Sequence, residues 1–236
     1  MLGLGNSITS GYAPFTLTSV NDLALWLQNG VGVTAAKWED SSGNANHATQ
    51  ATEANQATVS GGGLDFEETD SAHYDLTSTI TIAENGGFCV AFVVDLETTS
   101  DNTLLGKDAS DEFVLATSTN FLFRANDPSD TSTIFVFPSG TFDTSKALFL
   151  LNRSAGVSNR FTFFKNGTQL TPDVDTSSNE AAGENPNGFD INVIGAKSGT
   201  SKFFDGKILE LAFWSKGLNA QEIADVNSYL QGIHGL

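Results

Sequence analysis

Side-chain oxygens recur at alternate positions in the stretch "WEDSSGNANHATQ" (Trp38 to Gln50): Asp40, Ser42, Asn44 and Asn46. Alternate oxygen donors are what a calcium loop uses. The twelve-residue helix-loop-helix version needs glycine at its sixth position and a bidentate carboxylate at its twelfth. Here those places hold Ala45 and Ala51. The same residues also suit a plain turn, because Asp and Asn bond their own backbone and Gly43 accepts a left-handed conformation. The stretch is therefore read as a turn. A calcium ion held by Asp40, Asn44 and Asn46 and completed from elsewhere in the chain is the alternative. His47 is expected to pack or bond locally. Of the aromatic residues that could stack on a sugar face, Trp26 and Trp214 stand in apolar strands and read as core. Trp38, beside the polar turn, is left as the glycan-binding candidate.

A second stretch, "EETDSAH", places Glu68 and Asp70 close together, with His73 where a further glutamate would complete a glycosidase strand. Retaining hydrolysis needs two carboxyl groups about 5 Å apart. The sequence shows no second close pair, so glycosidase activity is a minor alternative. Three histidines (His47, His73, His234) come with no Gly-x-Ser-x-Gly elbow. The Gly61–Gly63 run has no following lysine to make a phosphate loop. No catalytic residues are assigned, no cofactor is required, and the chain reads as non-enzymatic.

The elements that would carry these residues are mostly strands. The 236 residues hold 18 Phe and 23 Gly at 39% hydrophobic content, a composition that favours strands joined by tight turns. "FCVAFVV" (Phe88 to Val94) is apolar throughout and reads as a central strand covered on both faces, with the lone Cys89 as a core residue. Further strands are expected over 112–117, 120–125, 132–138, 146–153, 189–196 and 207–215. Asn166-Gly167 in "RFTFFKNGTQL" fits a type I′ hairpin turn. Residues 171–188 read as an exposed excursion. Near the end, Asn219 caps a helix with Glu222 as its capping-box partner; Ile223, Val226, Tyr229 and Leu230 follow at helical spacing, and Gly232 supplies the stop. Regular strands with a single helix predict an all-β antiparallel sandwich carrying one C-terminal α-helix.

The net charge of −17, from 28 acidic and 11 basic residues, would repel a phosphate backbone. Nucleic-acid and anionic-membrane partners are not expected. The single cysteine and the absence of a basic start before Lys37 predict folding in a reducing compartment without ordinary secretion. Residues 1–14 alternate Leu2, Leu4 and Ile8 with glycine and small polar residues. That pattern predicts an extended arm, distinct from one domain over 15–236.

Three segments carry a family resemblance: "LALWLQNGVGVTAAKWEDSSGNANHATQAT" with "GGLDFEETDSAHYDL", the apolar strand at Phe88, and "FFDGKILELAFWSKGLNAQEIADVNSYL". Together they resemble the laminin-G-like, concanavalin A-like jelly roll, in the branch found in phage virion proteins. The sequence departs from that pattern at Glu67 and Glu68, where Asp and Gly are usual. The resemblance implies a virion protein assembled in the host cytoplasm, most simply a capsid decoration protein. Leu2, Leu4 and Ile8 would dock on other virion proteins of the capsid or tail, in many copies or as a homo-oligomer. A carbohydrate-binding adhesin that contacts host glycans is the alternative.

Overall fold

A computed structural model describes residues 14–99, 102–107, 112–115, 117–125, 133–156, 161–176 and 188–236. In chain order the strands are β1 (Leu23–Leu27), β2 (Val33–Thr34), β3 (Lys37–Trp38), β4 (Ala48–Thr49), β5 (Thr58–Ser60), β6 (Gly63–Phe66), β7 (Tyr74–Ile82), β8 (Phe88–Leu96) and β9 (Asn102–Gly106). They continue with β10 (Glu112–Leu115), β11 (Asn120–Arg124), β12 (Thr133–Val136), β13 (Ala147–Arg153), β14 (Phe161–Lys165), β15 (Thr168–Leu170), β16 (Val174–Asp175), β17 (Phe189–Ile194) and β18 (Gly206–Trp214). The helix α1 spans Ala220–His234.

The strands form two antiparallel sheets. One runs β15-β14-β13-β8-β18-β6-β5, with β1 also pairing with β18. The other runs β16-β12-β11-β10-β9-β17-β7-β4-β3-β2. Between them lies a phenylalanine-rich core in which Phe88, Phe113, Phe123, Phe189 and Phe213 are all fully buried. Rings there meet mostly edge-on or tilted, as at Phe88 and Phe113 (5.5 Å, 89°), the arrangement their quadrupoles favour. Arg153 is buried among them, 5.0 Å from the Phe88 centroid, and donates through Nε and Nη2 to the Gly86 carbonyl.

The first sheet is covered on its other face too. Alternate residues of β8 and β13 (Cys89, Ala91, Val93, Leu148, Leu150) point outward and meet Ile223, Val226 and Leu230 of α1. This double cover explains why β8 is apolar from Phe88 to Val94, as the sequence predicts. A bulge in β18 between Ile208 and Glu210 turns both Leu209 and Glu210 toward the helix side. Glu210, 1% exposed, accepts from Trp26 Nε1 (2.7 Å) and from His234 Nε2 (2.7 Å), tying the end of α1 to the sheet.

At the other end of α1, Asn219 accepts from the Gln221 and Glu222 amides, and Glu222 returns a bond from the Asn219 amide. The capping box is as the sequence predicts. The stop differs: the helix runs through Gly232 and ends at Gly235, whose φ of 64° is left-handed. Burial of Leu230 and His234 outweighs the roughly 1 kcal/mol cost of an interior glycine. The hairpin turn is also as expected, with φ of 47° at Asn166 and 75° at Gly167. The excursion at 171–188 is in part a strand, since Val174–Asp175 pairs with β12; residues 177–187 fall outside the described residues. Leu2, Leu4 and Ile8 of the expected arm also fall outside them. No helix among the described residues is long and apolar enough to cross a membrane.

Candidate functional site

The Asp40 turn is saturated by its own surroundings. Oδ1 of Asp40 accepts from the Trp26 and Ser42 amides, and Oδ2 from the Ser42 hydroxyl and the Asn46 amide, all within 2.9 Å. The Asn44 side chain donates to the Leu23 carbonyl at 2.7 Å, and that of Asn46 to the Ala24 carbonyl at 2.9 Å. His47 Nδ1 accepts from the Asp40 amide. These residues clamp the start of β1 to the loop.

Trp38 is corrected as a glycan-binding residue. It is 1% exposed, packs in the core between the sheets, and donates its indole N–H to the Gln28 carbonyl. Strand β3 turns the ring inward, so neither face is open to a sugar.

The "EETDSAH" stretch is also not a strand: Glu68–Asp70 forms a 3₁₀ turn ending at Ser71 with φ of 56°. The fold does assemble a carboxylate group that linear spacing hides. Ligand oxygens of Asp65, Glu67 and Glu97 lie within 4.8 Å of one another. Burial raises the Glu67 pKa, and the charges of Glu97, Asp205, Asp65 and Asp70 push it the same way. Lys207 pairs with Asp65 at 3.5 Å and Glu97 at 3.9 Å, and Glu67 and Glu97 stand exposed at the surface.

A groove of about 730 Å³ lies on the outer face of the first sheet, between α1 and the β13–β14–β15 strands. Its volume falls within the roughly 300–1,000 Å³ typical of small-molecule sites. Strand alternation builds its floor. Thr162 and Phe164 point outward while Phe163 enters the core, and register pairs Asn152 with Thr162 and Phe164 with Gln169. Helical periodicity builds the wall: Ala220, Ala224, Asn227, Ser228 and Gln231 share one face. Small alanines keep that wall set back from the strands. The hairpin tip comes close to the helix end, where a Cβ on Gly167 would sit 2.5 Å from Gln231 Nε2. Asn152 fixes the segment before the helix by accepting from the Leu218 amide and donating to its carbonyl.

The chemistry of this lining is uniform. Among the described residues it contains amides, hydroxyls, one half-buried phenyl ring and aliphatic groups, and no charged side chain. Two of its polar atoms, Thr162 Oγ1 and Asn227 Oδ1, are buried without a hydrogen-bond partner. Such orphans are uncommon and are met in other proteins by water or ligand. Gln169 and Gln231 hold no side-chain bond among the described residues. The sequence reading missed the groove because its parts come from four elements spread over 152–231.

An antiparallel sandwich with one sheet capped by a C-terminal helix defines a lectin-like class of fold. A family model described as the concanavalin A-like lectin/glucanases superfamily matches residues 67–224, and the chain belongs to that superfamily. Among solved structures, it resembles the binding domain of Paraclostridial Mosquitocidal Protein 1, with a TM-score of 0.60 at 14% identity over 91% of this chain and 53% of that one. It also resembles Trypanosoma rangeli sialidase in complex with sialic acid (0.56, 14%, 91% and 34%). A third is domain 4 of a GH43 extracellular arabinanase from Geobacillus stearothermophilus in complex with arabinotriose (0.52, 13%, 87% and 98%). The chain thus spans about half of the toxin domain and a third of the sialidase. No curated protein sequence matches it.

Proposed function

We propose that this domain is a non-catalytic carbohydrate-binding module whose saccharide lies in the groove between α1 and the β14–β15 hairpin. One observation carries the reading: a neutral lining of amides and hydroxyls over the Phe164 ring, on a chain with a net charge of −17. A sugar offers hydroxyls to such amides and an apolar face to such a ring. The arabinotriose complex of the similar arabinanase domain, matched over 98% of its length, supports a saccharide role for this architecture. The acidic trio Asp65, Glu67 and Glu97 does not carry a hydrolytic reading, because Lys207 pairs with two of its members.

The test is a glycan array probed with the intact chain and with Phe164→Ala. Binding by the intact chain, weakened at least about tenfold by the variant (roughly 1.4 kcal/mol), is the expected result. Array-wide silence, or release of reducing sugar that Glu67→Gln abolishes, overturns it.

A compatible second reading is multicopy display on a phage particle. It is favoured by the alternating Leu2, Leu4, Ile8 sequence, which cannot shelter its own apolar residues. The described chain begins beside α1, where Phe15 packs edge-on against Tyr229 (5.7 Å). Deleting residues 1–10 is expected to abolish particle attachment with the melting temperature unchanged. Full particle occupancy by the truncated protein contradicts it.

A further inference from the structure

Resting on the saccharide reading of the groove, we infer that the site takes the free end of a glycan chain, and that Gln231 is the residue that turns internal segments away. Strand β14 and α1 run side by side in the same direction and meet at their ends. At their starts, Asn152, which pairs with Thr162, holds the Leu218 backbone by both its carbonyl and its amide. At their ends, the Lys146 side chain donates to the His234 carbonyl (2.6 Å), and Asn166 exchanges two bonds with the Leu148 backbone, both at 2.8 Å. The hairpin tip and the last turns of the helix are thereby fixed at one place.

Gly167 makes that meeting close. A Cβ there would sit 2.5 Å from Gln231 Nε2, so the Gln231 amide fills the gap between hairpin tip and helix. No sugar ring passes between them. The helix wall from Ala220 to Gln231 is about 16 Å long at the standard rise per residue, enough for a short oligosaccharide. A chain lying along the strands stops at the contact of Gly167 with Gln231, and one lying across them stops at α1. In both directions the inner end of the ligand is a terminus.

An anchored glycan is attached through its reducing end, so its free terminus is the non-reducing one. Gln231 offers that terminal sugar a carbonyl and an NH₂ group. An internal sugar in the same place would need its continuing chain to occupy the volume of the Gln231 side chain. That is a clash built against the wrong ligand. Specificity for chain ends thus rests on one side chain, and shortening it opens the groove.

The experiment titrates soluble oligosaccharides found on the array against the intact chain, Gln231→Ala and Gln231→Leu. Each glycan is compared with two capped forms, carrying the same bulky group on the non-reducing or on the reducing end. The non-reducing cap is expected to weaken binding at least about tenfold, and the reducing-end cap to leave it within about twofold. Gln231→Ala is expected to shrink that penalty severalfold, whereas Gln231→Leu, which keeps the bulk without the amide, retains it. Equal tolerance of both caps, a loss at the reducing end instead, or a penalty that Gln231→Ala does not reduce overturns the inference while leaving saccharide binding in place. Binding of no uncapped glycan removes both.

Discussion

His234→Ala tests how the groove is held open, because the helix wall depends on one buried polar junction. Glu210 is 1% exposed and its two carboxylate oxygens each take one donor, the Trp26 indole and the His234 imidazole, both at 2.7 Å. The alanine variant removes one donor and leaves a buried carboxylate half satisfied. Leaving a buried polar group without one of its hydrogen-bond partners costs about 1–3 kcal/mol. For a chain of this length each kcal/mol lowers the melting temperature by about 2–4 °C, so the expected fall is roughly 2–12 °C.

The bond from the Lys146 side-chain Nζ to the His234 backbone carbonyl survives the substitution, so the effect isolates the side-chain pair. A double variant, Glu210→Met with His234→Leu, is expected to recover part of the loss, because apolar replacement of a buried pair is often neutral while the Trp26 indole is left without its acceptor. Thermal unfolding followed by circular dichroism reads both. A His234→Ala protein melting within about 2 °C of the parent, a change below 1 kcal/mol, refutes the reasoning.

Three further outcomes are expected. Gly167→Ala forces a side chain at φ of 75°, 2.5 Å from Gln231 Nε2. It should cost about 1–2 kcal/mol and weaken saccharide binding, and unchanged affinity would separate the hairpin tip from the site. Glu67 has its folded-state pKa raised above the ordinary 4.5, so its ionisation disfavours the fold once the pH rises above that value. Glu67→Gln should therefore raise the melting temperature at pH 7, with the gain vanishing near about pH 3; a gain that persists in acid contradicts this. Asp40→Ala strips acceptors from the amides of Trp26, Ser42 and Asn46 and should cost at least about 2 kcal/mol, equally in calcium and in chelator. A calcium-dependent rise in melting temperature that the variant abolishes would instead assign a metal to that turn.

Much of the fold was legible because it depends on local periodicity. The unbroken apolar run from Phe88 marks a strand covered on both faces, the Asn-Gly pair marks its hairpin, and Asn219 with Glu222 marks the helix start. The helix end was misplaced because Gly232 and Gly235 look alike in sequence. Only the packing of Leu230 and the Glu210–His234 bond decide that the helix continues. Trp38 misled for a related reason: a polar neighbourhood in sequence does not say which way a two-residue strand turns its ring. The groove was not legible at all. Gln169 and Gln231, and likewise Thr162 and Asn227, are brought together only when α1 lies across the first sheet. Asp65, Glu67 and Glu97 became neighbours by the same kind of long-range pairing, through β6 and β8 on either side of β18.

A crystal structure of the intact chain with a neutral trisaccharide found on the array tests the central claim most directly. The account predicts the sugar lying over the Phe164 ring, with hydrogen bonds to Gln169 and Gln231. A sugar bound elsewhere with the groove empty, at the Asp40 turn or against the Asp65, Glu67 and Glu97 carboxylates, would contradict it.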